Sequence, residues 1–156
     1  MFYSFIMLKP DAIARGLTKT VLAYLKKADI EIEMIDCRKV NTRLVKQHYA
    51  EVISKYGEDF ERKLTDYMTN HWTIPIIVKS EHSDIIDRVR KVVGATNPIE
   101  AAKGTIRGDF GIDSFEKCSA EDRSCHNLIH ASDSSEAVRR EIGLWFGEEY
   151  AEKYAK

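Results

Sequence analysis

An α+β fold is what this sequence predicts: a ferredoxin-like βαββαβ core whose antiparallel four-stranded sheet is covered by helices on one face. Three observations carry the prediction. Short apolar or alternating stretches of strand length are separated by segments of helical period, no low-complexity tract or obvious repeat divides them, and 156 residues is the size of one ordinary domain. A single domain over residues 1–156 is therefore expected.

Tyr3 to Leu8 is short and apolar and stops at Pro10, as a buried strand would. Val21, Leu22, Leu25 and Ala28 recur at helical spacing over Thr18 to Ala28, with Lys26 and Lys27 at the C-terminal end. Ile30 to Val40 alternates apolar and polar residues and reads as a half-buried strand. Two helical patterns follow, one through Val45, Tyr49, Val52 and Tyr56, the other through Phe60, Leu64, Tyr67 and Met68, with Gly57 as the break. Trp72 to Val78 is a further strand, and its Pro75 predicts an edge or a bulge. Ser83 to Val93 is helical through Ile86, Val89 and Val93, and residues 94–111 read as loop with a helical turn. Asn127 to His130 is a short strand. Asp133-Ser134-Ser135-Glu136 resembles a capping box opening a helix to about Phe146.

Composition removes several classes. Twenty-four Lys and Arg oppose 25 Asp and Glu for a net charge of −1, which offers no broad footprint for nucleic acid, so no specific nucleic-acid partner is expected. No apolar run approaches the roughly 20 residues of a membrane span, and the apolar N-terminus lacks a signal peptide's basic start and cleavage site. Three cysteines imply no disulfide framework, so a cytoplasmic protein with no membrane partner is expected.

Some charged residues fall where charge is costly. Turned at 100° per residue, the last helix places Glu141 between Val138 and Trp145 on its apolar side, where a carboxylate needs a partner. His130, at the end of the strand feeding that helix, is a candidate partner: a neutral imidazole can attack phosphorus, and a carboxylate on its other nitrogen fixes the tautomer. Asn127 and Ser132 flank it. Arg90 projects near the stripe of Ile86, Val89 and Val93, Lys9 ends an apolar strand, and Arg107 lies among glycines. With the hydroxyl of Thr96 these cations suggest a phosphate site. The phosphate-binding loop, the dinucleotide fingerprint and the protein-kinase motifs are all missing, and Cys118, Cys125 and His126 form no convincing zinc set, so phosphoryl transfer here requires another scaffold.

Five blocks supply that scaffold by resemblance. Lys9-Pro10-Asp11-Ala12, Gly94-Ala95-Thr96-Asn97-Pro98, Gly104 to Phe110, Asn127-Leu128-Ile129-His130-Ala131-Ser132-Asp133-Ser134 and Arg139 to Phe146 stand in the order found in nucleoside diphosphate kinases. The resemblance implies a ping-pong enzyme that passes the γ-phosphoryl group of a nucleoside triphosphate to a nucleoside diphosphate through a phosphohistidine, with Mg²⁺ and low base selectivity. It implies His130 as the phosphorylated residue, Glu141 holding its ring, Ser132 bonded to that glutamate, and Tyr49 beside the histidine. Lys9, Arg90, Thr96 and Arg107 would hold phosphate, Lys9 and Asn127 the ribose, and Phe60 the base, with Leu64 beside it. The metal would be carried by nucleotide phosphates and water rather than by a protein cage. A homo-oligomer, tetramer or hexamer, is expected.

Departures from the family pattern are local. Glu58-Asp59-Phe60 replaces Pro-Phe-Phe, Ala131 replaces glycine, and Lys103 replaces proline. Residues 112–125 are an insertion, charged and polar, read as an exposed and tolerated surface excursion. The alternative to an enzyme is a nucleotide-binding module on the same fold that uses the insertion as its contact surface.

Overall fold

The computed structural model describes residues 1–156. β1 (Phe2–Leu8) ends before α1 (Pro10–Ala14), where Pro10 occupies a first-turn position that needs no N–H donor. α2 (Thr18–Lys27) buries Val21 and Leu25. The single strand expected from Ile30 to Val40 is two, β2 (Glu31–Ile35) and β3 (Arg38–Lys39). The first helical pattern after them also divides, into α3 (Thr42–His48) and α4 (Ala50–Tyr56). Arg140 Nη1 takes the carbonyls of Gln47 and His48 at 3.4 and 3.1 Å, capping α3 from outside and interrupting the pattern at Tyr49. Gly57, at φ 89°, makes the break before α5 (Glu58–Met68), a conformation glycine adopts without cost.

β4 (Trp72–Ser80) corrects the reading of Pro75: it is an interior strand, in the sheet order β2-β4-β1-β5, with β3 pairing β4 beyond β2. The proline is tolerated because its carbonyl accepts from Asp36 N, placing its missing N–H on the side where β2 gives way to β3. α6 (Ile85–Val93) follows, then a 3₁₀ turn at Pro98–Glu100 and α7 (Ile106–Phe110), capped by the Thr105 side chain accepting from Gly108 N.

The segment expected to be an insertion, residues 112–125, is more ordered than an exposed excursion. It contains α8 (Phe115–Ala120), capped by Ser114, and buries Cys118 and Asp113. β5 (Ile129–Ala131) leads into α9 (Ser135–Phe146). The cap of α9 is Ser134, accepting from Ala137 N at 3.1 Å; Glu136 thus sits one position too early to close a capping box. A final helix, α10 (Glu148–Tyr154), packs on α9 after Gly147 and was not read from the sequence.

All pairings are antiparallel, and the sheet has five strands because the two-residue β3 joins the expected four. Both faces are covered, not one. On the first, Ile6 and Leu8 of β1 pack with α2 and α6 through Val21, Leu25, Val89 and Val93. On the second, Phe5 and Met7 pack with α3, α5 and α9 through Val45, Leu64, Met68, Val138, Ile142 and Trp145. The period of two in β1 thus sorts its side chains between two cores. It also places the site, since His130 lies opposite Met7 and so shares the second face.

Candidate active site

His130 sits mid-strand in β5, held against β1 on the face that α9 covers. Its Nε2 is 2.9 Å from Glu141 Oε2, and the ring keeps a fifth of its surface open. Glu141 comes from the buried stripe of α9, as the helical turn predicts, between Val138 and Trp145. Ser132 Oγ, fully buried, donates to the same carboxylate oxygen, and Arg140 Nη2 stands 3.4 Å from the other. Burial raises the Glu141 pKa; His48, the Ser132 hydrogen bond and Arg140 oppose that rise. Burial, then the charges of Lys9 and Arg107, hold His130 below its ordinary value, which keeps the imidazole neutral and nucleophilic. With Nε2 engaged by the carboxylate, Nδ1 is the nitrogen left to react.

The cations are fixed by the backbone around this pair. Lys9 extends the Phe5, Met7 alternation at the end of β1, is nearly buried, and donates from Nζ to Asn127 Oδ1 at 2.7 Å. Burial and the neighbouring Arg107 lower its pKa to about 8. Arg107 spends its guanidinium on three carbonyls: Nε on Asn127 O at 3.0 Å, Nη1 on Gly94 O at 3.1 Å, and Nη2 on Ile129 O. Burial lowers its pKa to about 10, still far above neutrality. Asn127 Nδ2 reaches Thr96 O at 3.0 Å, tying the Thr96 loop to the histidine strand.

Leu128 turns the chain between these contacts. It has φ 73°, and Ile129 N donates to Asn127 O at 2.8 Å, the signature of a γ-turn with positive φ. Leu128 N donates to Asp11 Oδ2, and Asp11 also accepts from the Tyr67 hydroxyl. This strained residue aims the carbonyls of Asn127 and Ile129 at one guanidinium.

The predicted residues are thus mostly brought together. Tyr49 is buried 6.1 Å from His130 between ring centroids, its hydroxyl without a partner and its pKa raised by burial first and Glu141 second. Arg90 lies close enough to Arg107 to depress its pKa, but it is exposed and makes no hydrogen bond or ion pair, contrary to the expectation that it projects among apolar residues. Thr96 is exposed in the loop that follows α6. Phe60 is half-buried on α5, tilted against Tyr56 at 5.4 Å and not against the histidine. Leu64 is 3% exposed within the core, so its place is in packing.

Sequence reasoning missed four contributors. His48 is buried at the end of α3, its ring 4.4 Å from that of His130. Asp11 and Tyr67 brace the γ-turn. Asp113 anchors the insertion, accepting from Arg123 Nη1 at 2.6 Å and Nη2 at 3.0 Å and from His126 N at 2.8 Å. The adjacency of Asp11 to Lys9 was a usable signal; the others depend on contacts across the fold.

A neutral imidazole braced by an interior carboxylate, with two buried cations near it on an antiparallel α+β sheet, has the chemistry that phosphoryl transfer through histidine requires. The nucleoside diphosphate kinase family model matches residues 3–151. A nucleoside diphosphate kinase of Methanothermobacter thermautotrophicus is 40% identical over 145 residues, covering 93% of this chain and 87% of that one. One of Saccharomyces cerevisiae is 37% identical over 147 residues, covering 94% and 86%. Among solved structures, a transition-state mimic of the Borrelia burgdorferi nucleoside diphosphate kinase with vanadate and ADP superposes with a TM-score of 0.87 at 30% identity, covering 94% and 88% of the two chains. The chain belongs to the nucleoside diphosphate kinase family. It is a kinase that moves phosphoryl groups between nucleotides, and the family's general mechanism is ping-pong through a phosphohistidine. No helix is long and apolar enough to cross a membrane.

Proposed function

We propose that His130 Nδ1 is the atom that carries the phosphoryl group. The observation that supports this reading most directly is the 2.9 Å contact of His130 Nε2 with the interior carboxylate of Glu141, which leaves Nδ1 free. In the first half-reaction the Nδ1 lone pair forms a bond to the γ-phosphorus while the bond to the leaving β,γ-bridging oxygen breaks. The positive charge that develops on the ring is met by Glu141 across Nε2–H, with Ser132 holding the carboxylate. The second half-reaction reverses these steps onto a nucleoside diphosphate.

Lys9, Arg90, Arg107 and Thr96 hold the phosphates, and Lys9 and Asn127 the ribose. Burial of Lys9 and Arg107 makes their charge more effective than on the surface. Tyr49 closes the site beside the histidine, and Phe60 offers a stacking face that accepts any base, so base selectivity is low.

The one cluster of metal-capable donors is His48, His130 and Glu141. Two imidazoles and one carboxylate, already engaged with Trp145, Ser132 and each other, do not suit Mg²⁺, which prefers oxygen and water. Mg²⁺ therefore arrives as part of the substrate, bound to the nucleotide's phosphates. We further propose a homo-oligomer, tetramer or hexamer, working in the cytoplasm.

The test is incubation with ATP labelled in the γ-phosphate. An acid-labile, base-stable phosphoprotein should form and discharge to GDP, and His130→Ala should abolish both. Retained labelling in His130→Ala would remove His130 from this role.

A further inference from the structure

One fully buried group next to the reacting histidine has no part in the mechanism above. His48 ends α3, is 3% exposed, and stands edge-on to the His130 ring at 4.4 Å and 82°. Its Nδ1 accepts a hydrogen bond from Trp145 Nε1 at 2.9 Å. Its Nε2 is sealed from solvent and has no partner. One ligand atom each of His48, His130 and Glu141 lies within 4.8 Å of the other two.

The indole N–H can only donate, so the His48 nitrogen facing it must keep its lone pair. In the neutral ring the proton is then confined to Nε2. Burial, followed by the positive form of His130, holds His48 well below its ordinary pKa, so the neutral ring is the one present near pH 7. This tautomer also removes the three-donor cluster as a metal site, because coordination through Nε2 would require an imidazolate.

An N–H dipole remains, buried and unpaired beside a carboxylate. An unmade bond of this kind is expensive unless a later state makes it. Glu141 has room for it: Oε2 takes Ser132 and His130, whereas Oε1 has only the 3.4 Å contact of Arg140. We propose that His48 is a positioning residue: Trp145 locks its proton on Nε2, and that N–H steadies the Glu141 carboxylate while His130 becomes positively charged during phosphorylation. No hydrogen bond joins the two in the free protein; it forms as charge develops, as catalytic hydrogen bonds commonly tighten. The inference rests on the assignment of His130 and Glu141 above.

Three variants and one spectrum decide it. His48→Phe removes the donor, and single-turnover phosphorylation from ATP should fall about tenfold to a hundredfold, the range for a hydrogen bond to a charged group, with nucleotide affinity unchanged in a titration. His48→Gln, whose amide N–H reaches about where Nε2 lies, should recover most of that rate. Trp145→Phe should slow phosphorylation less than His48→Phe does, and the double variant should be no slower than His48→Phe alone. Equal losses in His48→Phe and His48→Gln, or a wild-type rate in His48→Phe, overturn the proposal, and His48→Gln and Trp145→Phe still decide it if His48→Phe fails to fold. Nitrogen chemical shifts of the unmodified protein at neutral pH should show His48 protonated at Nε2 alone. Protonation at Nδ1 overturns the proposal even in a protein that phosphorylates normally. Absence of phosphorylation in the unmodified protein would overturn the His130 assignment instead, while the same shifts still decide the tautomer.

Discussion

The cluster around His130 and the ion-pair cluster of the insertion both join distant parts of the chain, but they work at opposite ends of the dielectric range. Around His130, Ser132 is 0%, Glu141 2%, His48 3% and Arg107 7% exposed, so solvent cannot substitute for a missing partner. At the rim, Asp122 bridges to Arg62 at 3.1 Å and to Lys63 at 3.3 Å, yet the Asp122 and Arg62 side chains are 71% and 47% exposed, and solvent screens them. The insertion is held by one exception to this pattern. The Asp113 side chain is 3% exposed, and burial alone would raise its pKa, but hydrogen bonds from Arg123 and from the N–H groups of His126 and Ser114 hold it well below the carboxylate range. Depth, rather than the number of ion pairs, separates the contacts that do chemistry or hold structure from those that only decorate.

Substitutions can break or sharpen that contrast, and the largest effect should come from the deepest charge. Glu141→Gln keeps the shape and removes the charge opposite the developing imidazolium. Single-turnover phosphorylation should drop about a hundredfold with nucleotide affinity preserved; an unchanged rate would contradict the bracing role. Arg107→Ala strips donors from three carbonyls at once, and chemical denaturation should show a loss of about 3 kcal/mol together with weakened nucleotide binding. Asp113→Ala should cost about 2 kcal/mol, less than a fully buried pair because Arg123 is 28% exposed, and hydrogen exchange should quicken across residues 112–126.

Asp113 also predicts a pH window. Its folded pKa is depressed, so its stabilisation is complete above the ordinary carboxylate pKa of about 4 and is lost as pH falls through the folded value. Lys9 gives a smaller effect on binding. It is charged below about pH 8 and loses its proton above, so affinity for a nucleoside diphosphate should decline over that interval, and Lys9→Arg should flatten the profile. Asp122→Ala should leave the denaturation midpoint unmoved within error, since Asp122 and Arg62 are themselves exposed. A clear loss there would show that the rim network is stronger than its exposure implies.

The family identification settles the choice between an enzyme and a nucleotide-binding module in favour of the enzyme. Residues 112–125, which the module reading needed as a contact surface, close on themselves through Asp113 and Arg123 and are tied to α5 through Asp122.

Legibility followed the range of the contact. Glu141 could be found because a carboxylate on an apolar helical stripe is visible at a spacing of three and four residues, and its neighbours Val138 and Trp145 are indeed buried with it. Gly57 and Pro10 carried their own backbone rules. His48 could not be found, because its burial and tautomer come from Trp145, 97 residues away. Asp113 reads as a solvated charge because nothing within its own turn shows that Arg123 and the N–H of His126 converge on it. Pro75 misled for the same reason: its tolerance in an interior strand depends on where β2 and β3 part.

From the chain alone came the α+β class, the helices of strong period, the family resemblance and the candidate pair of His130 and Glu141, all of which are written in local spacing or in contiguous motifs. The fold decided which face of the sheet carries His130, which charges are buried deeply enough to matter, and which nitrogens of His48 and His130 have partners. Those depend on desolvation and on hydrogen bonds between residues far apart in sequence, and neither exists until the two cores close on β1.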